Sequence, residues 1–324
     1  MRLFWLSLVL SLVLSLAERL YPVVREEEGK KIETSDSNVE LAHIKKHDVH
    51  QHSVSSTLED ALLEEVSLDS NVQSGEDPVE KLNAEKDLEC VNGTLELKGT
   101  HQVHGNDVYK DKYKFHLLSG CQRVIAEDAK LELFAPLVFN STSIEFEGHL
   151  TVVGKAPMAG SCLIVSGQVV ISGDFFLKDC QNQLPDTDEY AHAGGINALN
   201  MIQRSGQITI ENCSSKYYGG AIYVEDSFIQ EGGEMMIQHC KAGKSGGGVY
   251  AGKNFAQNNG VLQVEDCSAG WSGGALHAER SFRQNGGNVS LSNCRADYGG
   301  GGLSAGGFEQ LGGAMSIQSC EGNG

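Results

Sequence analysis

Cysteines at a fixed spacing are the most conspicuous residues of this chain that could do chemistry. Beyond residue 205, five of them are separated by 27, 27, 27 and 26 residues, and these are Cys213, Cys240, Cys267, Cys294 and Cys320. Thiolates bind soft metals and exchange disulfides, so such an array could be a metal or redox site. Cysteine is also a small residue that is often buried. We favour a structural ladder in which one thiol per repeat fills an inward corner position, and we predict no metal site.

Four further cysteines lie outside this period, at Cys90, Cys121, Cys162 and Cys180. Cysteines stacked at the ~4.8 Å spacing of paired strands are close enough for a disulfide, but side chains in parallel register orient poorly for that bond. The four non-periodic cysteines are therefore the better disulfide candidates. Because the total is nine, at least one thiol stays free or pairs between chains.

An acidic insertion offers a second kind of chemistry. Cys180 and Cys213 are 33 residues apart, six more than the repeat, and the extra residues between 181 and 192 include Asp186, Asp188 and Glu189. Paired carboxylates could bind Ca²⁺ or supply the acid and base of a glycosidase. An acidic surface loop is more often only solvated, so we assign no catalytic residue and name Ca²⁺ as the one candidate cofactor.

Aromatic residues form a third group, in the turn that follows the cysteine of each repeat. They are Tyr217, Tyr218, Trp271 and Tyr298. Stacked along one edge of the molecule, they could make a stripe that binds a carbohydrate or a protein. The alternative interpretation is that they only cover the turn.

The elements that would position these residues follow from the repeat itself. Each unit has an apolar alternation before the cysteine, a glycine-rich stretch after it, then a phenylalanine and a glutamine. The last two columns are Phe228, Phe255, Phe282 and Phe308, with Gln230, Gln257, Gln284 and Gln310. Each unit holds three short β-like runs and no helical pattern, and such periods indicate stacked repeats. We predict an all-β fold, a right-handed parallel β-helix of 27-residue coils over 205–324.

Three other segments precede the regular repeats. Residues 89–204 alternate apolar and polar residues between glycines, which predicts irregular early coils and a cap. Residues 18–88 are rich in Glu, Asp, Ser and Lys and predict a mostly disordered acidic leader. Residues 1–17 have a basic start and an apolar centre, which indicates a signal peptide. No later stretch is apolar enough to cross a membrane.

Charge and sequons restrict the partners. The net charge of −18 disfavours nucleic acid and anionic lipid, both of which require an excess of Lys and Arg. In a secreted chain the four Asn-x-Ser/Thr triplets become glycosylation candidates. They begin at Asn92, Asn140, Asn212 and Asn288, and Asn212 is the weakest because cysteine occupies its middle position.

The repeat resembles that of chlamydia-type polymorphic outer-membrane proteins. That family pairs Gly-Gly-Ala-Ile with Phe-x-x-Asn; here Gly-Gly-Ala-Ile stands at 219–222, with related glycine-rich units at 246, 273 and 300. In place of Phe-x-x-Asn this chain has an aliphatic residue three positions before each ladder cysteine. The resemblance covers about 205–324. It implies a β-helical module on the cell surface that often acts in adhesion.

These observations predict a secreted or cell-surface β-helix with a structural or adhesive role and an extracellular carbohydrate or protein ligand. The runner-up is a carbohydrate-active β-helix enzyme that uses the acidic loop at 186–192. Pectin-hydrolase-like enzymes share the fold, but their Asn-Thr-Asp, Asp-Asp, Gly-His-Gly and Arg-Ile-Lys motifs are absent from this sequence. Because these motifs are missing, we expect a protein that is not an enzyme. A Ca²⁺-dependent matrix component is a third option.

Overall fold

A computed structural model describes residues 88–109, 113–155, 157–184 and 191–323. It is an all-β parallel solenoid of about eight turns with coils of about 27 residues, which confirms the predicted fold class and repeat. The predicted signal peptide, nearly all of the acidic leader, and Asp186, Asp188 and Glu189 lie outside the described residues. No helix that could span a membrane occurs in the described part of the chain.

The early coils are built from long strands. These are β1 (Thr94–Val103), β2 (Asp107–Tyr109), β3 (Tyr113–Ser119), β4 (Arg123–Leu133), β5 (Leu137–Asn140), β6 (Ser143–Gly154), β7 (Leu163–Ile171), β8 (Asp174–Lys178) and β9 (Ile196–Gln203). Strands β2 and β3 form an antiparallel hairpin, and the other pairs in this region are parallel. Register shifts within β1, β4 and β7 let one strand turn a corner and serve two sides of the solenoid.

The later coils are built from short strands in a fixed order. These are β10 (Gln207–Glu211), β11 (Ser214–Ser215), β12 (Ile222–Val224), β13 (Ser227–Gln230), β14 (Glu234–Gln238), β15 (Lys241–Ala242), β16 (Val249–Ala251), β17 (Asn254–Gln257), β18 (Val261–Glu265), β19 (Ser268–Ala269), β20 (Leu276–Ala278), β21 (Ser281–Gln284), β22 (Asn288–Ser292), β23 (Arg295–Ala296), β24 (Leu303–Ala305), β25 (Phe308–Gln310), β26 (Ala314–Gln318) and β27 (Glu321–Gly322).

Three long rows of parallel strands and one short row make up the sides. The first side runs from β3 through β5, β7 and β9 to β12, β16, β20 and β24. The second continues from β9 into β13, β17, β21 and β25, and the third from β8 into β10, β14, β18, β22 and β26. A short sheet of β11, β15, β19, β23 and β27 lies between the third and first sides. Because equivalent residues pair directly, each column of the repeat becomes a row along the solenoid.

Two corner devices explain the glycines and the residue before each ladder cysteine. That residue has a positive φ in every repeat, from 51° at Asp266 to 54° at Asn212 and His239. The first glycine of the Gly-Gly pair is also left-handed, as at Gly219, where φ is 63°. The next glycine is needed for space, because a Cβ on Gly220 would collide with the carbonyl oxygen of Gly247 in the following coil. Stacking at this corner therefore depends on bare backbone.

The interior consists of ladders of identical side chains. The phenylalanines stack with ring centroids 4.6 Å apart for Phe228 and Phe255, 5.1 Å for Phe255 and Phe282, and 5.8 Å for Phe282 and Phe308. Aliphatic residues of β10, β14, β18 and β22 are buried beside them, with the first four ladder cysteines. Stacking removes from water apolar surface that one coil could not bury alone.

The glutamine column is also inside, which the sequence did not reveal. Gln203, Gln230, Gln257 and Gln284 have no exposed surface. The Nε2 of Gln230, Gln257 and Gln284 donates to the Oε1 of the preceding glutamine over 3.0–3.1 Å. Each Nε2 also donates to a backbone carbonyl, for example from Gln257 to Asn288 at 3.0 Å. This chain of amides satisfies the polar groups that burial would otherwise leave without partners.

Candidate functional site

One face of the later coils carries the four aromatic residues predicted as a binding stripe. Tyr217, Lys244, Trp271 and Tyr298 occupy the same position in four successive coils, in the turn after the short sheet, and we call them the turn row. The backbone N–H of each later member donates to the carbonyl of the one before it, over 2.7 Å, 2.8 Å and 2.8 Å. The turn row is therefore a straight line parallel to the solenoid axis, with one side chain per coil at ~4.8 Å intervals.

Lys244 joins the first part of the turn row. Its Nζ lies 3.8 Å from the ring centroid of Tyr217 and 5.3 Å from that of Trp271, and it donates a 2.5 Å hydrogen bond to the Tyr217 hydroxyl. Cations are attracted to the faces of aromatic rings. The lysine thus fills the gap between two aromatic residues that are two coils apart.

A second line of rings lies beside it on the first side, and the sequence interpretation missed it. Tyr223, Tyr250 and His277 pair in register in β12, β16 and β20, and we call them the strand row. Their rings stack at 5.3 Å and 5.1 Å with interplanar angles of 10°. A signal was available, since the three residues share one column of the repeat and point outward.

His192 and Tyr218 fill the space between the two rows. The His192 ring stacks on Tyr223 at 4.4 Å and lies 5.2 Å from Tyr217. The Tyr218 ring stacks on Tyr250 at 4.4 Å and meets Tyr217 edge to face at 4.4 Å. Tyr217 and Tyr218 are consequently half-buried, so two of the four predicted stripe residues are packed into the cluster. They are the packed base of the site.

The exposed part of the face is smaller and lies at Trp271 and Tyr298. Their exposed fractions are 56% and 66%. Among the described residues neither ring stacks on another ring, so both keep a face towards solvent. Tyr223 and Tyr250 differ from them, because neighbours stack on both faces of each ring, and Tyr250 is only 4% exposed. A ligand that stacks on an aromatic face can therefore use Trp271 and Tyr298.

Burial of the cluster changes its acid–base chemistry. Burial, with smaller contributions from Glu225 and Glu279, raises the pKa of Tyr223 to about 12. Burial also raises the pKa of Tyr250, whose hydroxyl donates a hydrogen bond to the carboxylate of Glu279. The pKa of His192 falls to about 4, first because it is buried and second because Lys244 is close. At neutral pH the cluster thus consists of neutral phenols and neutral imidazole around one ammonium group.

A polar clamp fixes His192 in this position. Its carbonyl accepts hydrogen bonds from Ser161 Oγ at 2.7 Å and from Asn182 Nδ2 at 3.1 Å. In the sequence, Cys162 directly follows Ser161 and Cys180 lies two residues before Asn182; these two cysteines form a disulfide with Cα atoms 5.7 Å apart. The second disulfide joins Cys90 and Cys121. The expectation that the four non-periodic cysteines form the disulfides is confirmed, and one of the two bonds supports the aromatic cluster.

The ladder cysteines do not form disulfides, and four of the five are buried. Each Sγ lies 3.1–3.4 Å from the carbonyl oxygen two residues earlier, as in Cys267 to Glu265 at 3.3 Å. Burial raises the pKa of Cys240 and of Cys267 well above its usual range, so both remain thiols at neutral pH. Metal ligation and nucleophilic attack require the thiolate. The described residues hold no group of three or more His, Cys, Asp or Glu arranged for a metal ion.

Ser272 and His277 lie within hydrogen-bonding distance of each other, as the nucleophile and base of a serine hydrolase do. Ser272 Oγ lies 3.1 Å from His277 Nδ1 and 3.2 Å from Ser245 Oγ. A Cβ at Gly299, in the next coil, would approach the Ser272 Cβ to 2.9 Å, so the backbone of that coil covers the serine. The amides of Gly273 and Gly274 donate to the carbonyl of Gly300 and do not form an oxyanion hole. The pair is better explained as a polar link between coils.

All four glycosylation candidates are exposed. Asn92 lies in the turn before β1, Asn140 ends β5, Asn212 precedes Cys213 with φ 54°, and Asn288 begins β22. Asn212 Nδ2 donates to Asp179 Oδ1 at 3.3 Å, so this side chain takes part in a contact between coils.

A comparison of the chain with protein-family models, with curated proteins and with solved structures gives no match in any of the three.

Proposed function

We propose that this protein is a secreted or cell-surface solenoid that binds an extracellular carbohydrate through its aromatic face and has an adhesive or structural role. The observation that carries the proposal is the exposure of Trp271 and Tyr298 in one line, next to a packed cluster of seven further residues. Those seven are Tyr217, Lys244, His192, Tyr218, Tyr223, Tyr250 and His277.

Rigidity supports a binding role for this face. Binding loses less conformational entropy when the receptor is already ordered. Here the backbone of the turn row and the stacked rings of the strand row are ordered before binding. Exposed Trp and Tyr side chains also dominate the binding energy of many interfaces. The apolar surface of two such exposed residues is in contact with water, and a ligand that covers it gains the free energy of removing that surface from water.

The sequence supports an extracellular setting. The segment at 1–17 predicts a signal peptide and therefore secretion, and the glycine-rich unit at 219–222 resembles that of the polymorphic outer-membrane proteins. We extend the adhesive role implied by that resemblance to this chain as part of the same proposal. The two disulfides support the same setting, because such bonds form and persist in oxidising compartments.

Binding to immobilised polysaccharides and to matrix proteins tests the proposal, with the full chain and with and without Ca²⁺. We expect retention on at least one polysaccharide and loss of most of it in Trp271→Ala. Phe134→Ala is the matched control, because Phe134 is an exposed aromatic residue of the early coils with an exposed fraction of 42%. Equal retention of wild type and Trp271→Ala on every surface contradicts the proposal.

A carbohydrate-active enzyme is the second candidate, and one observation favours keeping it. The two ends of the acidic insertion are anchored beside the aromatic face, through His192 at one end and a 3.0 Å bond from the Leu184 amide to Asn182 Oδ1 at the other. Release of new reducing ends is therefore measured in the same incubations. Cleavage that disappears in Asp186→Ala and Asp188→Ala would make this protein an enzyme.

A further inference from the structure

We propose that the ligand of this face is a neutral, unbranched polysaccharide that lies along the solenoid axis, with Trp271 and Tyr298 each stacked on one sugar ring. The inference rests on the proposed function and names the class and orientation of its ligand. It follows from the direction of the turn row, from the ring faces that remain open, and from the charges around them.

The direction comes from the backbone. Three consecutive hydrogen bonds between coils align the four residues of the turn row, so Trp271 and Tyr298 are one coil apart along the axis. That step is ~4.8 Å, the spacing of paired strands. The rise of one sugar in an extended β-linked chain is close to the same length. A chain parallel to the axis thus places one sugar at each coil, whereas a chain across the axis would leave the face after one sugar.

The open ring faces restrict where stacking occurs. Lys244 occupies the space between Tyr217 and Trp271, with its Nζ 3.8 Å and 5.3 Å from the two ring centroids. In that direction Trp271 is covered by the lysine. Trp271 and Tyr298 do not stack on each other, so each of the two rings is available to a different sugar of the chain. The apolar C–H face of a pyranose is the chemical group that suits such a ring.

Polar side chains flank these two rings at the places where sugar hydroxyl groups would lie. His277 and Ser304 occupy the strand-row column in the same two coils and are both partly exposed. Asp297 directly precedes Tyr298, and its side chain is 59% exposed. Aromatic stacking combined with a few hydrogen-bonding groups is the usual composition of a small-molecule site.

The charges on the face disfavour a polyanion. Glu225 and Glu279 lie close enough to the strand row to act on Tyr223, and Asp297 in the turn lies 3.9 Å from Arg295 Nε, so each sign of charge has a counterpart there. The ammonium of Lys244 already donates to the Tyr217 hydroxyl. With a net charge of −18 on the whole chain, a uronate or sulfated polymer meets repulsion at long range as well. A neutral polymer avoids both costs.

A length series of soluble oligosaccharides tests the inference with the full chain. The probes are neutral gluco-, xylo-, manno- and N-acetylglucosamine oligomers of two to six sugars, with oligogalacturonate and heparin as the charged counterparts. Calorimetry and Trp fluorescence report binding. We expect the affinity for one neutral series to rise at least tenfold from the disaccharide to the hexasaccharide, and Trp271→Ala and Tyr298→Ala each to lower it about tenfold.

Three outcomes overturn the inference, and they separate it from the proposed function. An affinity that does not change with length contradicts the axial chain, although a site for a short glycan would remain. Binding of the polyanions alone, lost in Trp271→Ala, contradicts the neutral ligand and leaves the binding face intact. Failure of every oligosaccharide, with matrix-protein binding that still depends on Trp271, replaces the carbohydrate with a protein partner. Phe134→Ala must bind as the wild type does.

Discussion

The early and the later coils of this solenoid are stabilised in different ways. In the early coils long strands cross corners through register shifts, and two disulfides join segments that are not equivalent in a repeat. In the later coils short strands pair without any shift from β10 to β26, and five cysteines form no disulfide. One architecture thus uses covalent bonds in one half and side-chain ladders in the other.

The difference follows from the spacing of the chain. Where every coil has nearly the same length, each residue lies on its own equivalent, so Phe stacks on Phe and Gln donates to Gln. Where the coils differ in length, Thr94 pairs with Arg123 and Arg123 with Glu145, and no ladder can form. A cross-link that lowers the entropy of the unfolded chain then supplies stability that ladders supply elsewhere. The aromatic cluster lies at the junction of the two systems, because the carbonyl of His192 is held by Ser161 and Asn182 of the early coils and its ring stacks on Tyr223 of the later ones.

The largest effect is expected from a break in the glutamine ladder. Gln257→Ala removes the donor to Gln230 Oε1 and to the Asn288 carbonyl, which leaves buried acceptors unpaired beside a cavity. The combined cost in the free energy of unfolding is about 3–5 kcal/mol. A urea titration measures it. Gln263→Ala is the control, since Gln263 lies outward in β18 of the same coil and its loss should cost less than about 0.5 kcal/mol.

Equal destabilisation by the two alanine variants would show that the ladder contributes no more than an exposed glutamine. The comparison between the two halves of the molecule would then rest on apolar packing alone.

Loss of the Cys162–Cys180 disulfide should produce the next largest effect. The two cysteines are 18 residues apart, and a loop of that size corresponds to about 3 kcal/mol of lost stability when the bond is absent. The double variant to alanine should also free the clamp on His192 and raise the rate of amide hydrogen exchange in 191–203. Cys240→Ala is the comparison, because it removes a ladder thiol without altering a covalent bond. If exchange in 191–203 rose in the ladder variant and not in the disulfide variant, this segment would be stabilised by the cysteine ladder and not by the disulfide.

Much of this architecture could be predicted from spacing alone. The period of 27 residues determines the fold, and the Phe and Cys columns become interior ladders because identical positions pair. The glutamine column was visible in the sequence, but glutamine is usually exposed and nothing in the pattern indicates that its amide finds partners inside. Gln203 belongs to the same ladder and could have been predicted, because it lies one period before Gln230.

The candidate site was only partly predictable. Trp271 and Tyr298 follow from their column, and Lys244 could have been added to it, since it lies one period after Tyr217. The position of His192 could not be predicted, because it follows an insertion of irregular length and depends on contacts from Ser161 and Asn182 in other coils. Pairing in the early coils was equally inaccessible, because unequal coil lengths allow many registers.

The smallest expected effect concerns pH and the histidine at the junction of the two halves. The pKa of His192 is about 4 in the folded protein, below its ordinary value of 6.5, so folding favours the neutral ring. Its contribution to stability is complete above about pH 6.5 and is lost as the pH falls through 6.5 towards 4, because the unfolded chain binds the proton first. After allowance for partial exposure of the ring, the loss is about 1–2 kcal/mol.

Urea titrations near pH 7.5 and pH 4.5 measure this loss. Between the two pH values the free energy of unfolding should fall more in the wild type than in His192→Phe, which keeps an aromatic ring between Tyr223 and Tyr217 and cannot be protonated. Lys244→Met should narrow that difference, since removal of the neighbouring ammonium lets the pKa of His192 rise, and an NMR titration of the ring reports that rise directly. Identical pH profiles of wild type and His192→Phe would mean that the ring is solvated, and the early and later coils would then meet without a packed junction.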